Sequence, residues 1–149
     1  MRGSKRRKRI NSSGESQTLV IRVIKCLNCK RIHHELPDIL VPYKRYDMES
    51  IEAVINEGTS LDVAADDSTI SRWKKWFRAL SYHFLGCLIS IATRYNEESV
   101  KYISKLPKSV LQRILHFVGS APAWLARVVR SVVNSNNWLH TRSAFMSRY

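Results

Sequence analysis

The chain contains 149 residues, 44% of them hydrophobic and 25% charged, so it is long enough to form a domain with its own core. Its 25 lysines and arginines against 12 acidic residues give a formal net charge of +13 at pH 7. This charge predicts a polyanionic partner, with nucleic acid first and an anionic membrane surface second. The sequence has no apolar run that could span a bilayer and no apolar stretch of signal-peptide length, and its odd number of cysteines fits a reducing compartment. We therefore expect a cytoplasmic protein, located at the nucleoid if it binds DNA.

The N-terminal segment predicts a β-hairpin. Gln17–Lys25 is rich in β-branched residues and is the best strand candidate in the sequence. Asn11–Gly14 has turn composition, and the stretch around Lys8–Ile10 is a weaker partner strand. Six of the first nine residues are cations. From these we expect an arm that neutralises DNA phosphates rather than a merely solvated segment, made of Arg6, Arg7, Lys8 and Arg9.

A Cys-x-x-Cys motif, Cys26 to Cys29, follows the predicted strand directly. A tight turn of this kind brings two thiolates to one tetrahedral metal, as in a zinc knuckle. A structural zinc needs four ligands, and at most one of the adjacent His33 and His34 can add to the two thiolates. We take His33 as the candidate third ligand. The alternative is a pair of free thiols in a turn, whereas Cys87 is expected to be a small buried hydrophobic residue.

After an extended linker at 37–46, the remaining chain has a helical pattern. Asp47 can cap a helix from Met48 to about Asn56, and 59–65 predicts a short helix or turn. Another helix runs from Ser68 to about Leu80, and Gly86 allows a break beyond it. Three later helices are predicted: one between Asn96 and Pro107, one at Val110–Val118, and one from Ser120 to Val133.

The helix from Ser68 has two distinct faces. Its aromatic residues fall on one arc, and the opposite arc carries Ser68, Ser71, Arg72, Lys75 and Arg78. A short capped helix that follows a helix and a turn is the layout of a helix-turn-helix, here at 48–80. Arginine can pair with guanine, and serine and lysine suit bases or phosphates. We therefore predict DNA contact at this face, and the alternative is the solvated face of an ordinary helix.

The sequence contains no motif for catalysis. It lacks a Gly-rich phosphate loop, G-x-S-x-G and H-E-x-x-H. All 12 acidic residues lie at or before Glu98, and most of them suit helix caps. We expect neither an enzyme nor a small-molecule substrate.

A rival hypothesis is a protein-interaction module. The last helix would dock a transposase catalytic subunit or a second copy of the chain through Val128, Val129, Val132 and Val133 beside Trp124. A third class is adhesion to an anionic membrane through the basic amphipathic segments, without a membrane span.

Three blocks of the sequence resemble one known family. They are CLNCKRIHHELPDILVPYKRY at 26–46, STISRWKKWF at 68–77 and NSNNWLHTRSAF at 134–145. The family is an uncharacterised bacterial domain of unknown function that is related to transposases and carries a zinc ribbon and a helix-turn-helix. The resemblance extends over nearly the whole chain from about Arg2, and its HHELPD…VPYKRY block is highly specific. It implies DNA binding linked to a mobile element, with no demonstrated activity.

The chain departs from that family at its start. Members usually show a first Cys-x-x-Cys ahead of the basic hairpin, so we expect an N-terminally truncated member with an incomplete zinc site. The resemblance implies a metal role for Cys26 and Cys29 alone. Either a dimer would complete a four-thiolate site, or His33 would substitute.

Together these patterns predict a mainly α fold. We expect a basic arm and zinc-ribbon remnant at 1–36, the linker at 37–46, and a helical domain at 47–149 that contains the helix-turn-helix. The predicted function is DNA binding through the helix-turn-helix and the basic arm.

Overall fold

The computed structural model describes residues 3–57, 62–95, 101, 105 and 107–138, and the chain forms two compact units, 1–66 and 67–149. The described residues form three strands and four helices. These are β1 (Gly3–Ile10), β2 (Ser16–Lys25), β3 (Ile32–His34), α1 (Met48–Glu57), α2 (Asp67–Arg94), α3 (Val110–Val118) and α4 (Trp124–Asn134). The expected mainly α fold is wrong, because an antiparallel sheet and helices share the chain in an α+β fold.

The sheet is larger than the sequence predicts. Its order is β1-β2-β3, and β1 pairs with β2 over its full length, from Gly3 opposite Val23 to Ile10 opposite Ser16. The short β3 pairs with only the last three residues of β2, Val23 to Lys25. The predicted β2 and its hairpin are confirmed, whereas β1 is longer than expected and β3 was not predicted.

The length of β1 has a tertiary cause. Arg7 Nη2 donates hydrogen bonds to the carbonyl oxygens of Val41 at 3.3 Å and Lys44 at 2.8 Å. Arg9 Nη1 lies 3.6 Å from the carboxylate of Asp47. Burial lowers the pKa of Arg7 below its ordinary value. Contacts with the segment that follows the sheet therefore stabilise a strand whose composition alone is unfavourable.

The loop between β1 and β2 is held by Asn11. Its backbone amide donates to the Glu15 carbonyl at 3.1 Å, and its side-chain Oδ1 accepts from the Glu15 amide at 2.8 Å. Gly14 has a φ of +85°, and a Cβ at this position would lie 3.0 Å from Ala64 Cβ. The predicted turn is therefore confirmed, and it requires glycine for both conformation and space.

Segment 37–46, predicted as an extended linker, contains two hydrogen-bonded turns and buries Leu40 and Val41 completely. The next residue is the predicted helix cap. Asp47 Oδ1 accepts a hydrogen bond from the Ser50 amide at 3.0 Å at the start of α1. An N-cap carboxylate of this kind satisfies a backbone donor that has no partner within the helix.

The second unit is built around α2. This helix continues for 28 residues, well past the predicted end at Leu80 and through Gly86 without a break. It packs against α3 and α4. The two helices of the predicted helix-turn-helix therefore belong to different compact units, and the fold prediction is wrong at this point as well.

The valine face of α4 lies in the core of this unit. Val128, Val129 and Val132 are buried, and Trp124 packs edge-on against Phe77 with ring centroids 5.7 Å apart. These side chains are therefore unavailable as the docking surface that the rival hypothesis requires. The predicted α3 and its Gly119 terminus are confirmed, whereas α4 begins four residues later than predicted Ser120, at Trp124.

Residues 96–100, most of 102–106 and the tail from 139 lie outside the described part of the chain, so the helix predicted after Asn96 is not among the described elements. Within the described residues, no helix combines the length and the apolar character needed to cross a membrane.

Two glycine substitutions should change stability in opposite directions. Gly14→Ala forces a side chain into a positive-φ position against Ala64 and should lower the free energy of unfolding by about 1 to 2 kcal/mol. Gly86→Ala is the matched control, because its Cβ would contact nothing within 4 Å. It should raise stability by up to about 1 kcal/mol, because alanine favours helix. Urea unfolding of both variants tests this, and a Gly14→Ala protein as stable as wild type would contradict it.

Candidate metal centre and basic surfaces

The Cys-x-x-Cys turn joins β2 to β3. The Cys26 backbone amide donates to the Arg31 carbonyl at 2.9 Å, and Lys30 adopts a left-handed conformation with a φ of 58°. The chain reverses within this turn and returns as β3. The reversal brings His33 back toward the two cysteines.

The structure brings the three predicted metal ligands together. The ligand atoms of Cys26, Cys29 and His33 all lie within 4.8 Å of one another, and Cys29 Sγ is 3.1 Å from His33 Nε2. His33 is opposite Ile24 in the sheet and His34 is opposite Val23. Successive residues of a strand point to opposite faces, so β3 presents His33, and not His34, to the cysteines.

The two thiols of the turn differ from Cys87 in their environment. Hydrogen bonds from the Cys29 backbone amide, the Cys29 side chain and the Asn28 backbone amide lower the pKa of Cys26 below its ordinary value. Cys29 is exposed, whereas Cys87 is buried, and burial raises the pKa of Cys87. The thiolate is the form that binds metal, so the local hydrogen bonds of the turn favour the form needed there.

The donor set fits zinc. Tetrahedral zinc, with bonds of about 2.3 Å to sulfur and 2.0 Å to nitrogen, places its ligand atoms roughly 3.5 Å apart. The cluster of Cys26, Cys29 and His33 needs little movement to reach this geometry. Within the described residues, no fourth Cys, His, Asp or Glu belongs to the cluster. The described part of the chain thus offers three protein ligands at this site.

The predicted basic arm divides into two pairs. Arg7 and Arg9 bind groups of the protein itself, as described above. Arg6 and Lys8 are exposed, and their side chains form no hydrogen bond or ion pair with other described residues. The arm is thus a regular strand, and two of its four predicted DNA-binding cations already have structural partners.

The polar face of α2 is oriented as predicted. Its five predicted DNA-binding residues are all exposed: Ser68, Ser71, Arg72, Lys75 and Arg78. Arg72 donates back to Ser68, from Nε to the carbonyl oxygen at 3.2 Å and from Nη2 to Oγ at 2.8 Å. The face therefore offers two cations with no described partner, Lys75 and Arg78.

Sequence reasoning missed two exposed residues of the sheet, Thr18 and Val20. Val20 is 65% exposed although it lies in the middle of β2. The strict alternation of strand residues, once β1 is recognised as a full strand, would have placed both beside Arg6 and Lys8. The sequence did not predict the full length of β1, so the position of Thr18 and Val20 beside its cations was not recognised.

Comparison with known proteins gives a family match in the N-terminal part of the chain. Residues 1–73 match the family model described as a domain of unknown function, DUF6431. This domain contains the sheet, the candidate metal ligands, α1 and the beginning of α2. The expected domain of unknown function is confirmed over these residues and not over nearly the whole chain. Its description names no transposase, zinc ribbon or helix-turn-helix. No curated protein and no solved structure matches the chain.

The three cysteines should react at different rates with iodoacetamide. In the metal-free protein, Cys26 and Cys29 should be alkylated first, because one has a lowered pKa and the other is exposed. Cys87 should be protected until the protein unfolds, because it is buried with a raised pKa. Peptide mass spectrometry of native and urea-treated samples measures this order. Rapid native labelling of Cys87 would contradict the packing of α2.

Proposed function

We propose that the protein binds DNA through exposed cations on its sheet and on α2. The observation that carries the proposal is the presence of solvent-facing cations on regular elements, Arg6 and Lys8 on β1 and Lys75 and Arg78 on α2, in a chain of net charge +13. Cations that have no carboxylate partner among the described residues can replace the counterions of DNA phosphates. The N-terminal arm and the α2 face remain the DNA-binding residues of this proposal.

We propose no catalytic activity for this protein. We place it in the cytoplasm, at the nucleoid when it is bound to DNA. Its association with a mobile element, through a transposase or through self-association, stays a prediction that rests on the resemblance described above. The rival interaction module has less support, because three of the four valines it requires, Val128, Val129 and Val132, are buried in the second unit.

We further propose that Cys26, Cys29 and His33 hold a zinc ion. The close approach of their ligand atoms and the lowered pKa of Cys26 support this assignment. When bound, zinc would link the end of β2 to β3 and stabilise the turn. The fourth ligand is then a water molecule or a group from a second copy of the chain.

Binding to duplex DNA should depend steeply on salt. Each phosphate neutralised contributes a slope of about −0.9 to a plot of log binding constant against log salt, so we expect a slope at or beyond about −2. Fluorescence anisotropy with a labelled mixed-sequence duplex measures it. A binding constant independent of salt, or no binding at low salt, would rule out the proposal.

Two controls separate DNA binding from the other function classes. Flotation with vesicles that contain anionic lipid tests membrane adhesion, which is also salt-dependent. DNA competition against these vesicles shows which polyanion binds more tightly. A preference for the vesicles would replace DNA by a membrane surface as the partner.

Zinc binding should need His33 and should not need His34. Native mass spectrometry of the zinc-loaded chain should give about one zinc per chain if His33 and a water complete the site. His33→Ala should weaken zinc binding at least about tenfold, because even groups outside the first coordination shell are worth that much. His34→Ala is the matched control, since it removes an imidazole from the adjacent position on the opposite face.

The stoichiometry also tests the dimer. Half a zinc per chain, together with a dimer mass, would mean that two pairs of Cys26 and Cys29 share one metal. Wild-type binding by His33→Ala would support that arrangement. A chain that takes up no zinc would overturn the assignment and leave two free thiols in the turn.

A further inference from the structure

The pleat of β1 separates Arg7 and Arg9 from Arg6 and Lys8. Arg7 and Arg9 point to the inward face, where they bind the carbonyl oxygens of Val41 and Lys44 and the carboxylate of Asp47. Alternate residues of a strand lie on opposite faces. Arg6 and Lys8 therefore lie on the outward face, where they are exposed.

The pairing of β1 with β2 adds two residues to this outward face. Arg6 lies directly opposite Val20, and Lys8 lies directly opposite Thr18. Thr18 is exposed, and Val20 is 65% exposed. We call these four residues the outward ribbon face. Opposed residues of an antiparallel pair lie close enough to act on one ligand together.

Two features distinguish the outward ribbon face from the rest of the sheet. β3 pairs only with Val23–Lys25, so the sheet has two strands where the face lies. Farther along β2, the Arg22 guanidinium is bound to the Glu35 carboxylate, at 2.5 Å from Nε and 2.8 Å from Nη2. Arg6 and Lys8 have no such partner among the described residues. The cations of the outward ribbon face are therefore available to a ligand.

We propose that the outward ribbon face binds duplex DNA in the major groove. The inference rests on the proposed function and names the surface and the form of nucleic acid. The major groove is about 12 Å wide and admits a two-stranded β-ribbon. Arg6 can pair with guanine, Lys8 can contact guanine or phosphate, and the methyl groups of Thr18 and Val20 can pack on a thymine methyl.

The composition of the sheet favours duplex over single-stranded nucleic acid. Single-strand binders stack successive bases on aromatic side chains. None of the three strands contains Phe, Tyr or Trp. The outward ribbon face instead combines cations with small β-branched side chains, which suit base edges and phosphates rather than base planes.

The N-terminal end of α2 is a less favourable surface for DNA. In a recognition helix, the N-terminal residues contact base edges, but α2 begins at Asp67, directly after Asp66. These carboxylates would approach the phosphates and repel them. The Arg72 side chain is also bound to Ser68 within the helix. The outward ribbon face has no acidic residue.

The test compares two double variants that remove the same charges. Arg6→Gln with Lys8→Gln alters the outward ribbon face, and Arg72→Gln with Lys75→Gln alters α2. Each pair removes one arginine and one lysine from exposed positions. Fluorescence anisotropy with a labelled mixed-sequence duplex, and with one of its single strands, gives the binding constants at several salt concentrations.

The sheet pair should weaken duplex binding by about 10- to 100-fold, and it should reduce the salt slope by about 1.8 if both cations contact phosphate. The α2 pair should weaken duplex binding less than the sheet pair does, because its cations would contact phosphates and not base edges. Thr18→Glu is a second variant that removes no cation and places a carboxylate between Lys8 and the DNA. It should also weaken binding, whereas Thr18→Ser, which removes only a methyl group, should weaken it much less.

The outcomes separate the inference from the proposed function. If the wild-type chain binds neither the duplex nor the single strand, both the inference and the proposed function are overturned. Duplex binding that is lost only in the α2 pair, or lost equally in the two pairs, would overturn the inference and leave DNA binding intact. Tighter binding of the single strand than of the duplex would also overturn it. Circular dichroism and urea unfolding of each variant show that a loss of binding is not a loss of fold.

Discussion

The Asp47 carboxylate joins the two parts of the first unit. It accepts a hydrogen bond from the Ser50 amide at the start of α1, and it lies 3.6 Å from the Arg9 guanidinium of β1. The Asp47 backbone amide also donates to the Ile10 carbonyl at 2.9 Å. One residue thus begins the helix and attaches the edge strand to it. Because both partners are largely buried, loss of either would leave an uncompensated charge inside the unit.

This attachment explains what could and could not be read from the sequence. The turn at Asn11, the strand β2, the Asp47 cap and α3 are set by local residue preferences, so local patterns predicted them. The full length of β1 depends on Arg7 and Arg9 finding carbonyl and carboxylate partners more than thirty positions away in sequence. Composition cannot show such partners.

The same contrast holds for the candidate sites and for α2. The two cysteines follow from a motif and His33 was predicted with them, but the physical reason that His33 and not His34 faces the cysteines is the pairing of β3, which no local pattern predicts. The exposed face of α2 follows from helical periodicity. Its continuation to Arg94 does not, because Gly86 allows a break, whereas packing against α3 and α4 stabilises the continuous helix. At each position where sequence patterns did not predict the structure, tertiary contacts set it.

The loop that Gly14 closes has a consequence for how this domain can vary. Because β1 and β2 are joined by a loop of fixed length, residues 11–15 set the register in which the two strands pair. A shift of β1 by a single residue would exchange its faces. Arg7 and Arg9 would then face solvent, and Arg6 and Lys8 would face segment 40–47. Insertion or deletion of one residue in this loop would thus change which cations of β1 face solvent without altering any charged residue.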